Sequence, residues 1–187
     1  MLAGEGSGGE VGGVTRRRSR KIRPARGRAA LKSAATTIDY ECWMLAEAYS
    51  ARLSASALAT ASFSIVAQHN MAVESFLLHT RCLQEFFRES GGEDDILASD
   101  FLVYGPRFPL PTVASKPFRS RVNKRLAHAS YKRPRLRRSW DDRDIVRDVA
   151  GAFDKFLARF DADHPRRRTW FQDARQLVRD AKARGLL

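Results

Sequence analysis

"NMAVESFLLHTRCLQEFF", residues 70–87, is the stretch that decides the fold. Its apolar side chains recur at steps of three and four, which places them along one side of an α-helix. The same spacing reaches back to Val66, and Gly91-Gly92 is expected to end the helix. The pattern therefore predicts one long, largely buried helix. Its marker residues are Val66, Val73, Phe76, Leu77, Leu83, Phe86 and Phe87.

Helical spacing continues on both sides of this stretch. Thr37 is the expected N-cap of an earlier helix that places Ile38, Cys42, Leu45 and Tyr49 on one face. Residues 93–102, "EDDILASDFL", predict a short helix with an acidic first turn, where the helix dipole favours carboxylates. A Pro-rich loop is expected next, with prolines at 106, 109 and 111.

The second half of the chain predicts three more helices. One runs from about Pro117 to Tyr131. Another starts at Asp141-Asp142, and His164-Pro165 interrupts it; its apolar face holds Ile145, Val149, Phe153, Phe156 and Phe160. The last ends at Gly185 and carries Trp170, Ala174, Leu177 and Val178. No alternating apolar pattern competes, so we expect an all-α bundle of about five helices.

The first 36 residues differ from the rest in composition. Glycine and arginine dominate them, and without an apolar period they cannot bury enough surface to offset their ordering entropy. We therefore expect a disordered basic arm over 1–36 and a single helical-bundle domain over 37–187. Two interpretations of the arm stay open: a segment that contacts RNA or DNA, and an extension that results from a start codon placed too far upstream.

Charge is unevenly spread over the chain, whose formal net charge is +13. Residues 1–36 carry nine Lys/Arg and two acids, residues 37–115 carry four and ten, and residues 116–187 carry twenty-one and nine. A basic half attracts nucleic acid or another anionic surface. Attraction between the acidic and basic halves of one fold would produce the same distribution, and so would an Arg-rich coding bias.

Several classes of protein are excluded by simple counts. Cys42 and Cys82 are not in a CxxC spacing, so a disulfide framework or zinc ribbon is not expected, and both residues are predicted to be buried packing residues in a reducing cytoplasm. No apolar run approaches the roughly 20 residues of a membrane span, and no secretory signal is evident. His69 and His164 have no partner at a metal-ligand spacing, so neither metal nor cofactor is expected. His79, in an apolar run, is predicted to be a hydrogen-bonded core histidine.

"SRVNKRLAHAS", residues 120–130, concentrates the candidate chemistry. At about 100° per residue, His128 returns to nearly the direction of Arg121, away from an apolar stripe that includes Val122 and Leu126. Neighbouring cations disfavour protonation of His128, which would leave it able to act as a base, while Arg121 could stabilise charge on a phosphate. These are the two roles that RNA cleavage without a metal requires: a base that activates the 2′-hydroxyl and a cation on the phosphoryl oxygens.

Arg121, six intervening residues and His128 resemble the Arg-x(4–6)-His motif of the HEPN superfamily, whose all-helical members include bacterial endoribonucleases of the toxin or defence type. The resemblance implies Arg121 and His128 as catalytic residues, a paired homodimeric site and RNA as substrate. In that family a polar residue often follows the arginine directly; here Val122 stands there and Asn123 comes second. Residues expected to support the pair or position substrate are Glu74, Asn123, Lys124 and Tyr131.

Structural alternatives exist for each of these residues. The ridge formed by Arg121, Lys124, Arg125 and His128 can be a solvated helix face, and His128 can cap or bridge within the bundle through Asn123 or Tyr131. Glu74 can form an ordinary salt bridge. Residues 70–87 together with "RVNKRLAHASY" (121–131) also resemble a common kind of small bacterial helical protein, a likeness that implies no particular activity.

Two further segments combine arginines with aromatic residues, a composition that suits single-stranded nucleic acid. They are "YKRPRLRRSW" (131–140) and "HPRRRTWF" (164–171), and either can equally be a solvated loop. Candidate nucleic-acid contacts are Arg125, Lys132, Arg133, Arg135, Arg137, Arg138, Arg166, Arg167 and Arg168. Two functions therefore stay open: a HEPN-like metal-independent endoribonuclease, and a non-catalytic helical module that binds nucleic acid or a protein partner through its basic half.

Overall fold

The computed structural model of the chain describes residues 25–56, 63–103 and 141–187. These ranges contain four α-helices, which we number α1 (Arg28–Ser56), α2 (Phe63–Phe86), α3 (Asp142–Asp163) and α4 (Gln172–Ala183). Two 3-10 turns, Ala98–Phe101 and Pro165–Arg167, accompany them, and the described ranges contain no strand. The all-α prediction is confirmed in this part of the chain. The predicted Pro-rich loop and the helix over 117–131 lie outside the described residues.

Helix α1 begins at Arg28, so the predicted start at Thr37, and disorder up to residue 36, are wrong for residues 28–36. Thr37 is an interior helical residue whose hydroxyl donates to the carbonyl of Ser33 at 3.3 Å. Ala35 is only 3% exposed, and Leu31 packs against the core. Because the side chain of Ala35 is small, composition does not reveal this apolar contact, although Ala35 continues the spacing of Ile38.

Helices α1 and α2 form an antiparallel pair, the most extensive helix contact among the described residues. Glu41 meets His79, whereas Arg52, eleven residues later in α1, lies over the ring of the earlier Phe76. The apolar face of α2 is buried as predicted, with Phe76, Leu77 and Leu83 fully covered. This pair positions the remaining helices.

The predicted short helix over 93–102 is wrong in extent, because only Ala98–Phe101 forms a 3-10 turn. The Asp95 carboxylate accepts the N–H of Gly92 at 2.6 Å, and the Asp100 carboxylate accepts the N–H of Leu97 at 3.0 Å. Aspartates that bond to nearby backbone in this way stabilise turns at the expense of helix. The acidic cluster was therefore a turn signal.

Helix α3 follows its prediction closely. Asp141 is the N-cap, and its carboxylate accepts the N–H of Asp144 at 3.0 Å. The face that carries Ile145, Phe153 and Phe156 is buried. The helix stops at Asp163, and a 3-10 turn follows at Pro165, so the predicted interruption is confirmed.

Helix α4 ends in a Schellman motif. Gly185 has φ +64°, its N–H donates to the carbonyl of Lys182 at 3.0 Å, and the N–H of Leu186 reaches back to Ala181 at 2.9 Å. A residue without Cβ is favoured at this left-handed position. The predicted end at Gly185 is confirmed. Trp170 lies two residues before the helix rather than in it.

Phenylalanines from four segments meet in the centre of the core. The ring of Phe156 lies 5.3 Å from that of Phe86, 5.1 Å from that of Phe171 and 5.9 Å from that of Phe160, measured between centroids. Most of these contacts are edge-to-face, the arrangement that aromatic quadrupoles prefer. The cluster joins α2, α3 and the start of α4 into one core.

Candidate nucleic-acid interface

The described residues include four of the predicted site residues: Glu74 and three consecutive arginines. Arg166, Arg167 and Arg168, which we call the arginine turn, lie in and directly after the 3-10 turn between α3 and α4. The catalytic pair Arg121 and His128 lies outside the described residues. So do Asn123, Lys124, Arg125, Tyr131, Lys132, Arg133, Arg135, Arg137 and Arg138.

Glu74 lies on the outward face of α2 and is exposed. Met71 and Leu78, one turn away on either side, are 69% and 48% exposed. At this exposed position Glu74 can form a salt bridge on the surface, and its side chain does not pack in the described core. Its proposed role in orienting Arg121 or His128 stays a prediction.

The arginine turn carries positive charge that no described carboxylate neutralises. Arg166 and Arg168 are exposed, Arg167 is partly buried, and none of the three has a described carboxylate oxygen within 4.0 Å. On the neighbouring helices some cations are paired: Arg159 contacts Asp163 at 3.2 Å, and Lys182 contacts Asp154 at 2.8 Å. Three adjacent cations without a carboxylate partner concentrate positive potential, which attracts an anion.

An aromatic side chain supports this turn from below. The guanidinium carbon of Arg167 lies 5.2 Å from the ring centroid of Trp170, a cation–π geometry. Trp170 in turn lies against Phe160, 6.1 Å away between centroids. The turn is therefore anchored to the core while Arg166 and Arg168 project into solvent.

Asp39 of α1 caps the start of α4, which follows the arginine turn. Phe171 precedes α4 in the left-handed conformation, with φ 60°, and its side chain cannot cap a helix. The Asp39 carboxylate takes that place, accepting the N–H groups of Gln172, Asp173 and Ala174 at 2.8, 3.0 and 3.1 Å. Burial raises the pKa of Asp39, although these backbone N–H groups favour its charged form. Local spacing contains no signal for this cap, because the acceptor lies 133–135 residues from its donors.

His79 is the hydrogen-bonded core histidine that the sequence predicted. It is 7% exposed, and its Nδ1 lies 2.7 Å from Oε2 of Glu41. Its partner, Glu41, was not predicted.

The thiol of Cys82 lies near the same carboxylate. Burial, the negative charge of Glu41 and a hydrogen bond to that carboxylate raise the pKa of the Cys82 thiol to about 11. Cys82 is only partly buried, contrary to prediction, and it is not an activated nucleophile.

Cys42 and His164 both take part in packing the fold: the first is buried, and the second forms a hydrogen bond to the backbone. Cys42 is fully buried as predicted, and burial raises the pKa of its thiol well above the usual range. The Nε2 of His164 lies 2.8 Å from the carbonyl oxygen of Phe101, which ties the end of α3 to the 3-10 turn after α2. Within the three described ranges, no group of three His, Cys, Asp or Glu side chains could hold a metal ion.

An open groove of about 610 Å³ lies where the C-terminal end of α1 meets the start of α3. Its charged lining is largely satisfied internally: Asp142 pairs with Arg52, and the guanidinium of Arg184 lies 5.5 Å from the centroid of Tyr49. Because Asp142 and Arg184 already have partners within the protein, we interpret the groove as a gap between packed helices and do not assign a ligand to it. Its lining residues are Tyr49, Leu53, Asp141, Asp142, Arg143, Arg184 and Leu186.

Among the helices that the structure describes, none has the length and apolar character needed to cross a bilayer. Comparison of the chain with protein-family models, curated proteins and solved structures found no significant match.

Proposed function

We propose that this chain binds RNA through its basic surface and cleaves it without a metal ion, as a HEPN-like endoribonuclease. The observation that carries the RNA-binding part is the arginine turn: three adjacent cations without a described carboxylate partner, two of them exposed. Phosphates of a bound strand would supply the missing negative charge.

Cleavage is assigned to Arg121 and His128 by the motif in the sequence. His128 takes the proton of a ribose 2′-hydroxyl, whose oxygen attacks the adjacent phosphorus. The bond from phosphorus to the 5′-oxygen breaks, and that oxygen receives the proton that His128 removed and leaves as a 5′-hydroxyl. Arg121 stabilises the negative charge that develops on the phosphoryl oxygens. The products are a 2′,3′-cyclic phosphate and a 5′-hydroxyl, formed by an internal transfer that needs no co-reactant.

A second candidate function is RNA binding without cleavage. The arginine turn and its contact with Trp170 favour it equally, since that geometry serves binding and contains no acid–base group. The two functions differ only in whether His128 reacts with the bound strand.

The deciding experiment incubates end-labelled RNA with purified protein in EDTA. Cleavage that leaves a cyclic phosphate, and that is abolished by Arg121→Ala and by His128→Ala, is the expected result. His69→Ala, which removes a partly buried histidine of α2, is the matched control and should cut normally. If the RNA stays intact, and if replacing the arginines of the arginine turn weakens its binding, the function is binding without cleavage. If the protein neither cuts nor binds RNA, the proposal is overturned.

A further inference from the structure

We infer that the RNA ligand is single-stranded, and that it runs from the arginine turn onto Tyr40 and Trp43 of α1, where a nucleobase stacks. This inference rests on the proposed RNA binding and adds the strand form and the contact surface. It does not depend on whether the RNA is cut.

Tyr40 and Trp43 are the exposed aromatic residues of α1. They are 49% and 47% exposed, and their ring centroids lie 6.0 Å apart. The described phenylalanines of the core are, by contrast, fully or almost fully buried. Two adjacent rings left open on a helix surface provide flat, sequence-tolerant area for a nucleobase.

Tyr40, one ring of this pair, is held in place from beneath. The ring of His79 meets Tyr40 edge-on, with centroids 6.1 Å apart, and Glu41 fixes that imidazole through its Nδ1. A platform that is ordered before binding loses less conformational entropy when a base stacks on it.

Asp39 brings this platform next to the arginine turn. Its carboxylate accepts the N–H of Gln172, and the side chain of Gln172 donates to the carbonyl of Arg168 at 3.2 Å. Tyr40 is the residue after Asp39, and Trp43 lies one turn later, about 40° around the helix from Asp39. Cations and open aromatic rings therefore share one side of the molecule.

This combination indicates a single strand more than a duplex. A cationic groove beside aromatic rings is the standard arrangement for single-stranded nucleic acid, whereas the bases of a duplex are already stacked on one another. Glu47 is exposed one turn beyond Trp43, and its negative charge repels phosphate. We therefore expect the backbone of the strand to extend from Tyr40 and Trp43 toward the arginine turn and away from Glu47.

The test measures binding of an unstructured RNA oligonucleotide, and of the same sequence as a duplex, by fluorescence anisotropy in EDTA. All variants carry His128→Ala so that the probe stays intact. Trp43→Ala should weaken single-strand binding about five- to hundredfold, the usual effect of losing one stacked base. Tyr40→Ala should act in the same direction. The matched control is Met71→Ala, which removes a 69% exposed apolar side chain on α2.

The outcomes separate this inference from the proposed function. If Trp43→Ala and Tyr40→Ala bind like Met71→Ala, or if the duplex binds as tightly as the single strand, the inference fails. RNA binding then still stands, provided that replacing the three arginines of the arginine turn weakens it. If that replacement is also without effect, the proposed RNA binding fails too. Circular dichroism establishes that each variant is folded.

Discussion

The Nδ1 of His79 lies 2.7 Å from Oε2 of Glu41, and this contact joins α2 to α1 beside the core. Both side chains are largely shielded, with 9% and 16% of their surfaces exposed. A polar group that loses its partner in such a place bears a desolvation cost. The contact therefore contributes to the register of the two helices.

Replacing His79 with alanine should lower the free energy of unfolding by roughly 1–3 kcal/mol, because it leaves the Glu41 carboxylate without this partner. Urea unfolding measures the change. Glu47→Gln, at an exposed position on the same helix as Glu41, is the control and should have almost no effect. A variant that keeps full stability but loses RNA cleavage would contradict the structural role and place His79 in the chemistry.

The thiol of Cys82 should react slowly with iodoacetamide at neutral pH, since its pKa of about 11 leaves it almost entirely protonated. Glu41→Gln removes the negative charge that favours the thiol form and keeps an amide oxygen as acceptor, so the pH at which alkylation accelerates should shift downward. Peptide mapping separates this site from the buried Cys42. An unchanged pH profile in Glu41→Gln would show that the charge of Glu41 does not contribute to the raised pKa of Cys82.

Removing residues 1–36 should destabilise the fold relative to a chain that starts at residue 25. The longer deletion cuts away the start of α1, including Leu31, which packs against the core, and the buried Ala35. We expect a melting temperature lower by several degrees, the usual effect of losing about 1 kcal/mol or more in a domain of this size. Equal melting temperatures for the two chains would show that the first turns of α1 contribute nothing.

Much of the described fold was predictable from local sequence. Helix α3 combines an Asp N-cap with phenylalanines on one face, and α4 is followed by Gly185, the residue type most favoured at a left-handed position. In these places capping chemistry and apolar spacing agree. At Thr37 a residue typical of N-caps misled the prediction, because buried Ala35 continues the helix through it.

The site was harder to predict, because its determinants are not local. Arg166, Arg167 and Arg168 stood out in the sequence, but their lack of neutralising partners depends on which carboxylates fold nearby. The inferred link between Trp43 and these arginines runs through Asp39, which caps a helix 133 residues away. No period or motif encodes such a contact. Tyr40 and Trp43 also fit an ordinary helix, and only their exposure distinguishes them.

Asp39→Ala should remove the cap of α4 and lower stability by roughly 1–2 kcal/mol, and Asp39→Asn should recover part of it, because its amide oxygen still accepts. The two variants also differ from wild type in pH dependence. Because burial raises the pKa of Asp39, the folded state binds this proton more tightly than the unfolded chain does.

The sign of the Asp39 effect follows by linkage. The stability of wild type relative to Asp39→Asn should fall as the pH rises from below the unfolded value of 3.8 through the raised folded pKa, and should be constant above it. Thermal unfolding across acidic pH measures this difference. A wild-type advantage that grows with pH over that window would show that the backbone N–H groups outweigh burial.

The arginine turn should account for a defined share of the salt dependence of RNA binding. Replacing Arg166, Arg167 and Arg168 with glutamine removes up to three phosphate contacts. For single strands each contact contributes about 0.7 to the slope of log affinity against log salt, so the slope should become shallower by about 2. Arg179→Gln, which removes an exposed arginine on α4 that bonds Gln176 at 2.6 Å, is the control and should leave the slope nearly unchanged. Binding that weakens in the triple variant with no change in slope would mean that the turn shapes the surface without contacting phosphate. An equal change in the control would mean that net charge alone attracts the RNA.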